Sequence, residues 1–344
     1  MQRNVLTIAT GKEVYWKMAI NLIRSFLWWN SNHDINFQIV TDLDNPLPTD
    51  ISGKIEIIKI NQKEYGTGFS TKLHLDKFIK NGSTLFIDSD CLIFEPLDSI
   101  FKRFKGSSVS VVGNYINGGE WFGNISEILT RFSISSMPKF NGGIYYIEKN
   151  EISDKVFETA RVLEKEYDNI GFTRLRSQPN DEVIISLAMQ LNGQTPLIDD
   201  GTIMSDPQAC RGPYHINVLK GTRVLINPKF PDPLNQDWYP FHEIQPVIVH
   251  FLGEFTKDFP YKRRLTGYMQ NQKICLNYGL IWFVIYPLNI RQSLKIILKL
   301  CLGHYIISFG VSDQLNNQKG FYDHLLVNTV LTFIDKFKLR SKSL

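Results

Sequence analysis

Short β-branched runs separated by helical stretches fill the first 150 residues, and nothing else in the chain restricts its fold as much. Val5-Leu6-Thr7-Ile8, Ile35 to Thr41, Ile55 to Ile60 and Thr84 to Ile87 read as strands, with an amphipathic stretch from Glu13 to Trp29 between the first two. Strand, helix and strand in succession is the rhythm of a doubly wound sheet covered by helices. Phe69 to Lys80 fits a further helix, with Ser70 as its cap and Asn81-Gly82 as its stop. Later, Val109 to Val112, Ile144 to Ile147 and Val247 to Phe251 read as strands, and Ser153 to Tyr167 and Asp181 to Leu191 as helices. Ligands of open α/β sheets gather at the carboxyl ends of strands. Thr10-Gly11, Asp88-Ser89-Asp90 and His250 all fall at such ends.

An Asp-x-Asp triplet arises about once by chance in a chain of this length, so its context decides its meaning. Asp42-Leu43-Asp44 runs into Asn45-Pro46-Leu47-Pro48 and reads as a turn with solvated carboxylates. Asp88-Ser89-Asp90 is different, because Leu85-Phe86-Ile87 precedes it and Cys91-Leu92-Ile93-Phe94 follows. Two acids between buried strands need a partner, since unpaired carboxylates there are costly. Either Lys and Arg side chains or a divalent cation would serve. Carboxylate oxygens suit Mg²⁺ or Mn²⁺, and such an ion can bridge a diphosphate and neutralise a departing nucleotide.

Five segments in order make a more specific pattern: Thr71-Lys72-Leu73-His74, Leu85 to Asp90, Phe140-Asn141-Gly142-Gly143, Asp181-Glu182, and Val249-His250-Phe251-Leu252-Gly253. Together they resemble the motifs of glycosyltransferase family 8, the glycogenin and lipopolysaccharide galactosyltransferase relatives, over about Val5 to Lys257. The resemblance implies the A-type glycosyltransferase fold, a Rossmann-like mixed sheet, and transfer from a nucleotide-sugar donor, a UDP-sugar, with retention. It implies Asp88, Asp90 and His250 as ligands of Mn²⁺ or Mg²⁺, a donor set that imidazole and carboxylates suit. By the same resemblance Thr10, Tyr15, Lys72, Ser89, Asn141, Gly142, Gly143, Gly253 and Lys257 would hold the donor, and Lys72, Asp181 and Glu182 would act on the sugar. Two departures stand out. Glu182 occupies the place of the family's usual Gln, so a carboxylate is available to form a glycosyl intermediate or to stabilise an ion pair. Thr256 occupies the place of the family's phosphate lysine, with Lys257 one residue later.

Two rivals follow from the same residues. A nucleotidyltransferase that makes nucleotide sugars should carry a glycine-rich basic loop after its first strand, and Ala9-Thr10-Gly11-Lys12 is a poor version of one. A non-catalytic sugar- or membrane-binding module would not need all of Asp88, Asp90 and His250.

The charge is unevenly distributed. The net value is +4, but residues 257–344 hold 13 Lys and Arg against 4 Asp, a balance of +9 that leaves −5 for residues 1–256. This argues against nucleic acid as a partner of the body. The chain accordingly divides into a catalytic domain over 1–260 and a helical, basic and aromatic region over 261–344. In that region Ile290, Leu294, Ile297, Leu298, Cys301 and Tyr305 recur at helical spacing beside Arg291, Lys295 and Lys299. Such a stripe either caps the catalytic domain or lies on an anionic membrane face, delivering the site to a glycan or lipid-linked acceptor. Asn117 to Met137, with its Trp121-Phe122, reads either as an acceptor loop or as cover for the core. Cys91, Cys210, Cys275 and Cys301 have no CxxC spacing, so neither zinc nor a disulfide framework is expected. The start of the chain lacks the apolar length of a signal peptide, so the expected location is the cytoplasm, peripheral on a membrane.

Overall fold

The computed structural model describes residues 2–31, 34–210, 214–227 and 241–256. The chain opens with β1 (Arg3–Ile8), α1 (Glu13–Asn30), β2 (Asn36–Thr41) and β3 (Glu56–Lys59). After α2 (Gln62–Tyr65), a 3-10 helix over Gly68–His74 and α3 (Leu75–Phe78) lead into β4 (Ser83–Ile87) and β5 (Cys91–Ile93). Next come α4 (Asp98–Phe104), β6 (Val109–Ser110), β7 (Val112–Ile116), α5 (Ile125–Phe132), β8 (Met137–Phe140) and β9 (Ile144–Glu148). The described chain closes with α6 (Glu151–Lys165), α7 (Tyr167–Ile170), α8 (Asp181–Leu191), β10 (Leu197–Ile198), β11 (Met204–Ser205), β12 (Tyr214–Asn217), β13 (Thr222–Ile226), β14 (Glu243–Ile244) and β15 (Ile248–His250).

The result is a mixed α/β fold around a six-stranded sheet of order β3-β2-β1-β4-β9-β6. Strands β1 to β4 pair in parallel, while β9 runs antiparallel to both β4 and β6. Successive strand residues point to opposite faces, so each strand feeds two cores. Val5, Leu85, Ile87 and Tyr146 pack with Trp16, Ile20, Ile23 and Phe26 of α1. Leu6, Phe86, Tyr145 and Ile147 pack with Val156, Phe157, Val183 and Leu187 of α6 and α8. Cover on both faces is why these strands read as nearly unbroken apolar runs.

Past β4 the chain turns sharply and β5 leaves the main sheet for a second one, of order β11-β15-β5. There β15 runs antiparallel to β5 and places His250 opposite Cys91. A third small core gathers Leu92, Phe94, Ile216, Leu225 and Phe251 beneath the meander of β12, β13 and β14.

One expected element differs. Phe69 to Lys80 is not a single α-helix but a 3-10 helix followed by the one-turn α3. Gly66 and Gly68 enter it with φ of 72° and 61°, a region that strains any side chain, and Gly68 lies hard against the Gln178 side chain. The tighter helix is clamped from the far side. Arg161 of α6 donates to Leu73 O at 2.9 Å and grips both oxygens of the buried Asp76 at 2.7 and 3.2 Å. Strand-like 109–112 also breaks, into β6 and β7, which join different sheets.

Cys91 and Cys210 are buried free thiols. No helix among the described residues is long and apolar enough to cross a membrane. Lys257, Cys275, Cys301 and the whole basic region 261–344 lie outside the described residues.

Candidate active site

The carboxyl edge of β4 is where the acids meet. Cys91 N donates to Asp88 O at 3.0 Å, closing Asp88-Ser89-Asp90 into a tight turn, and Asp88 N donates to Gly143 O at 2.9 Å. Phe251 N donates to Asp90 O at 3.0 Å, which ties the triplet to the end of β15. This backbone frame brings His250 Nε2 to 3.0 Å from Asp90 Oδ1 and 3.8 Å from Asp88 Oδ2. Gly143 makes room for the imidazole: a methyl group there would lie 2.5 Å from His250 Nδ1 and 2.8 Å from Met204 Sδ.

Lys72 comes to the same place from the 3-10 helix. Its Nζ is 2.7 Å from Asp88 Oδ2, 3.3 Å from Asp181 Oδ2 and 3.1 Å from Gly142 O. The ammonium also lies 5.5 Å from the Phe86 ring centroid and 5.8 Å from that of Tyr145. Burial opposes its charge, but Asp181 and Asp88 outweigh burial and raise its pKa, so it stays protonated. Of the two ways to satisfy the Asp-x-Asp acids, pairing with a lysine therefore applies, among the described residues, to Asp88 and not to Asp90.

Asp181 and Glu182 open α8, where Asn180 caps the helix by accepting from Glu182 N at 2.7 Å. The Tyr145 hydroxyl donates to Asp181 Oδ2 at 2.5 Å. Gly142 N donates to Glu182 Oε1 at 2.7 Å, and a methyl group on Gly142 would lie 3.0 Å from Glu182 Cγ and 3.2 Å from Asp181 Oδ2. The glycine pair is thus the seam between the Asp88 turn and the start of α8. Burial, then the Asp181 charge, push the Glu182 carboxyl up to about 7.

Behind His250, Nδ1 is 2.7 Å from Asn141 Oδ1, which also accepts from Gly143 N at 3.0 Å. Asn141 Nδ2 in turn donates to Asp206 Oδ2 at 3.2 Å. Tyr145 and Asp206 are the two site residues that sequence reasoning missed. Tyr145 reads as strand filler in Ile144-Tyr145-Tyr146-Ile147, and Asp206, before Pro207, reads as a turn residue; neither carries a local signal of its partner.

The electrostatics favour an added cation. Five carboxyls, Asp88, Asp90, Asp181, Glu182 and Asp206, face one lysine and one histidine among the described residues of the cluster. Burial opposes the His250 charge, but Asp90, Asp88 and Asp206 raise its pKa to about 9. Burial raises Asp88, with Lys72 opposing, whereas His250 overcomes burial at Asp90 and holds that carboxyl below its ordinary range. Asp90, Cys91 and His250 present ligand atoms within 4.8 Å of one another. The Cys91 thiol is pushed well above its ordinary pKa by burial and by Asp90 and Asp88, so it keeps its proton and is the weakest donor of this group. Asp90 and the Nε2 of a deprotonated His250, with Asp88 Oδ2 3.8 Å from that nitrogen, offer the oxygen and nitrogen donors that a divalent cation takes.

The other expected donor contacts are spread along the same edge. Thr10 is buried at the end of β1, Tyr15 is 40% exposed on the first turn of α1, and Ser89 is buried in the triplet turn. Gly253, at φ 50°, begins a 3-10 helix just past β15. Asp42 does not reach the acid cluster. Its Oδ1 accepts from Gly11 N at 2.9 Å, and Asp44 pairs with Lys59 at 2.8 Å.

No protein-family model and no curated protein matches the chain. Among solved structures, the galactosyltransferase LgtC in complex with donor and acceptor sugar analogs is 13% identical, with 73% of this chain and 87% of that one covered at a TM-score of 0.46. Mouse xyloside xylosyltransferase 1 is 12% identical, with 60% and 88% covered at 0.40. A putative glucose-1-phosphate thymidylyltransferase from Bacillus anthracis is also 12% identical, with 58% and 87% covered at 0.35. At such values the likeness assigns no chemistry, and the functional reading rests on the site itself.

Proposed function

We propose that the chain is a glycosyltransferase of the A-type fold that takes a sugar from a UDP-sugar, with retention, using Mn²⁺ or Mg²⁺ held by Asp88, Asp90 and His250. One observation carries the reading. A carboxyl poised near neutrality, Glu182, meets the acid cluster of Asp88, Asp90 and His250 across the glycine seam Gly142-Gly143, so a donor diphosphate held on the cluster's side would place its anomeric carbon towards Glu182.

When bound, the cation neutralises the diphosphate as it departs. Lys72 supplies a second, permanent positive charge beside the same phosphates. Asp181, held by Tyr145 and Lys72, orients the sugar hydroxyls. Glu182 keeps Oε1 on Gly142 N and directs Oε2 to the anomeric carbon as the bond from that carbon to the diphosphate oxygen breaks. Its carboxylate either bonds to that carbon as a glycosyl ester, a bond that breaks again as the acceptor oxygen attacks the same carbon, or stabilises an oxocarbenium-like ion pair that the acceptor oxygen captures; in either case the acceptor's proton passes to the departing phosphate or to the Glu182 carboxylate. Thr10, Tyr15, Ser89, Asn141, Gly253 and Lys257 complete the donor site in this reading.

The loop after β1 argues against a nucleotidyltransferase. Its Gly11 amide is occupied by the Asp42 carboxylate, an anion where a triphosphate would need donors. For the region 261–344 we extend the reading to docking on an anionic membrane face that presents a lipid-linked or surface-glycan acceptor. Flotation with anionic liposomes at low salt, comparing the full chain with one truncated after Phe259, tests this: both proteins remaining soluble removes it. The donor reading is tested by screening nucleotide sugars with Mn²⁺ for binding and hydrolysis. Hydrolysis of one UDP-sugar, abolished by chelator, is the expected result, and turnover of a nucleoside triphosphate with a sugar phosphate would overturn it.

A further inference from the structure

A metal-binding imidazole must present a bare nitrogen, and which of its two nitrogens is bare depends on what the other one faces. His250 Nε2 faces Asp90 and Asp88, and Nδ1 faces Asn141 Oδ1 at 2.7 Å. The oxygen end of that amide is fixed there because Gly143 N, which can only donate, also bonds to it at 3.0 Å. The amide nitrogen is then turned to Asp206 Oδ2 at 3.2 Å, and Asp206 Oδ1 accepts from Ala209 N at 2.6 Å. Asp206 is 4% exposed and comes from the loop after β11, a strand that pairs with β15 directly.

A carboxylate accepts at both oxygens, so every bond in this series runs one way. Ala209 and Asn141 donate to Asp206, and His250 Nδ1–H donates to Asn141. We infer that Asp206 is a positioning residue which, through Asn141, holds His250 in the tautomer protonated at Nδ1 and so makes Nε2 a cation ligand. An amide at position 206 cannot serve both donors. It has one oxygen for two donors, and must turn its NH₂ group either onto Ala209 N–H or onto the Asn141 amide. The second choice reverses Asn141, sets its NH₂ against Gly143 N–H, and favours the opposite tautomer of His250.

The inference rests on the cation reading of Asp88, Asp90 and His250, and the test separates the two. Mn²⁺ alone is titrated calorimetrically into the full chain as wild type, Asp206→Asn, Asn141→Ala and the double variant. Asp206→Asn should weaken Mn²⁺ binding by about 10–100-fold, the range for outer-shell partners of metal-bound histidines. In the Asn141→Ala background it should have no further effect, because the route to His250 is already cut. Losses that multiply in the double variant, or an Asp206→Asn affinity within about twofold of wild type, overturn the relay. Nitrogen-15 shifts of the imidazoles in Mg²⁺-saturated wild type give a readout that needs no variant to fold: His250 should be protonated at Nδ1, and protonation at Nε2 refutes the inference. Wild type that fails to bind Mn²⁺ overturns the cation reading and the relay together, whereas normal wild-type binding with an unaffected Asp206→Asn overturns the relay alone.

Discussion

Replacing Glu182 by glutamine should make the protein more stable and much less active, and the size of the first effect follows from the site. The carboxyl rises from an ordinary value of 4.5 to about 7, which at ~1.36 kcal/mol per pH unit is an electrostatic penalty of about 3 kcal/mol for the ionised form. The side chain is only partly shielded from solvent, and screening reduces this to about 2 kcal/mol. Below about pH 4.5 the group is protonated in both folded and unfolded chains and costs nothing. Between there and about pH 7 the folded chain keeps a proton that the unfolded chain has lost, so wild-type stability falls as pH rises and levels off above 7. Glu182→Gln keeps the bond from Gly142 N but has no charge to bury. Its advantage should therefore be near zero at pH 4.5 and about 2 kcal/mol at pH 8, measured by urea denaturation of metal-free protein across that range. Turnover of the UDP-sugar should meanwhile fall about 10²-fold or more, with donor affinity kept. Parallel stability curves for the two proteins would refute the electrostatic reasoning, and near-normal turnover would refute the chemical role of the carboxylate.

Asp88→Asn and Asp90→Asn should each remove most turnover in a chain that still folds, because they subtract charge from the cation site and not packing from the core, with a lowered denaturation midpoint where Lys72 and His250 lose a buried counter-charge; full activity of Asp90→Asn in chelator would refute the metal assignment. Lys72→Met strands Asp88 and Asp181 without their buried counter-charge and should cost about 3 kcal/mol of stability, with part of the loss recovered when Mn²⁺ is added; an unchanged midpoint in urea would show that the pairs contribute nothing. Gly143→Ala drives a methyl group to within 2.5 Å of His250 Nδ1, so Mn²⁺ affinity should fall about tenfold or more as the imidazole is displaced. Wild-type affinity in that variant would mean His250 is not a ligand.

Local pattern alone determined much of this protein. Short β-branched apolar runs placed β1, β2, β4 and β9 within a residue or two. The helical stretch from Asp181 to Leu191 marked α8, and the flanking runs marked Asp88-Ser89-Asp90 as an unusual place for acids. These features are encoded within about ten residues of chain, where backbone preference and periodicity act. The 3-10 form of Gly68–His74 was not legible, because the neighbours that enforce it, Gln178 and Arg161, are about a hundred residues away. Nor could an isolated strand show that Tyr145 would meet Asp181, 36 positions on, or a turn show that Asp206 would hold Asn141, 65 positions back. Which buried acid receives a lysine, which a histidine, and which an amide is decided only when β4, β9, β15 and α8 converge. Short-range forces choose the elements, but the partner of a buried charge is chosen by the desolvation cost of having none, and that cost arises only in the assembled fold.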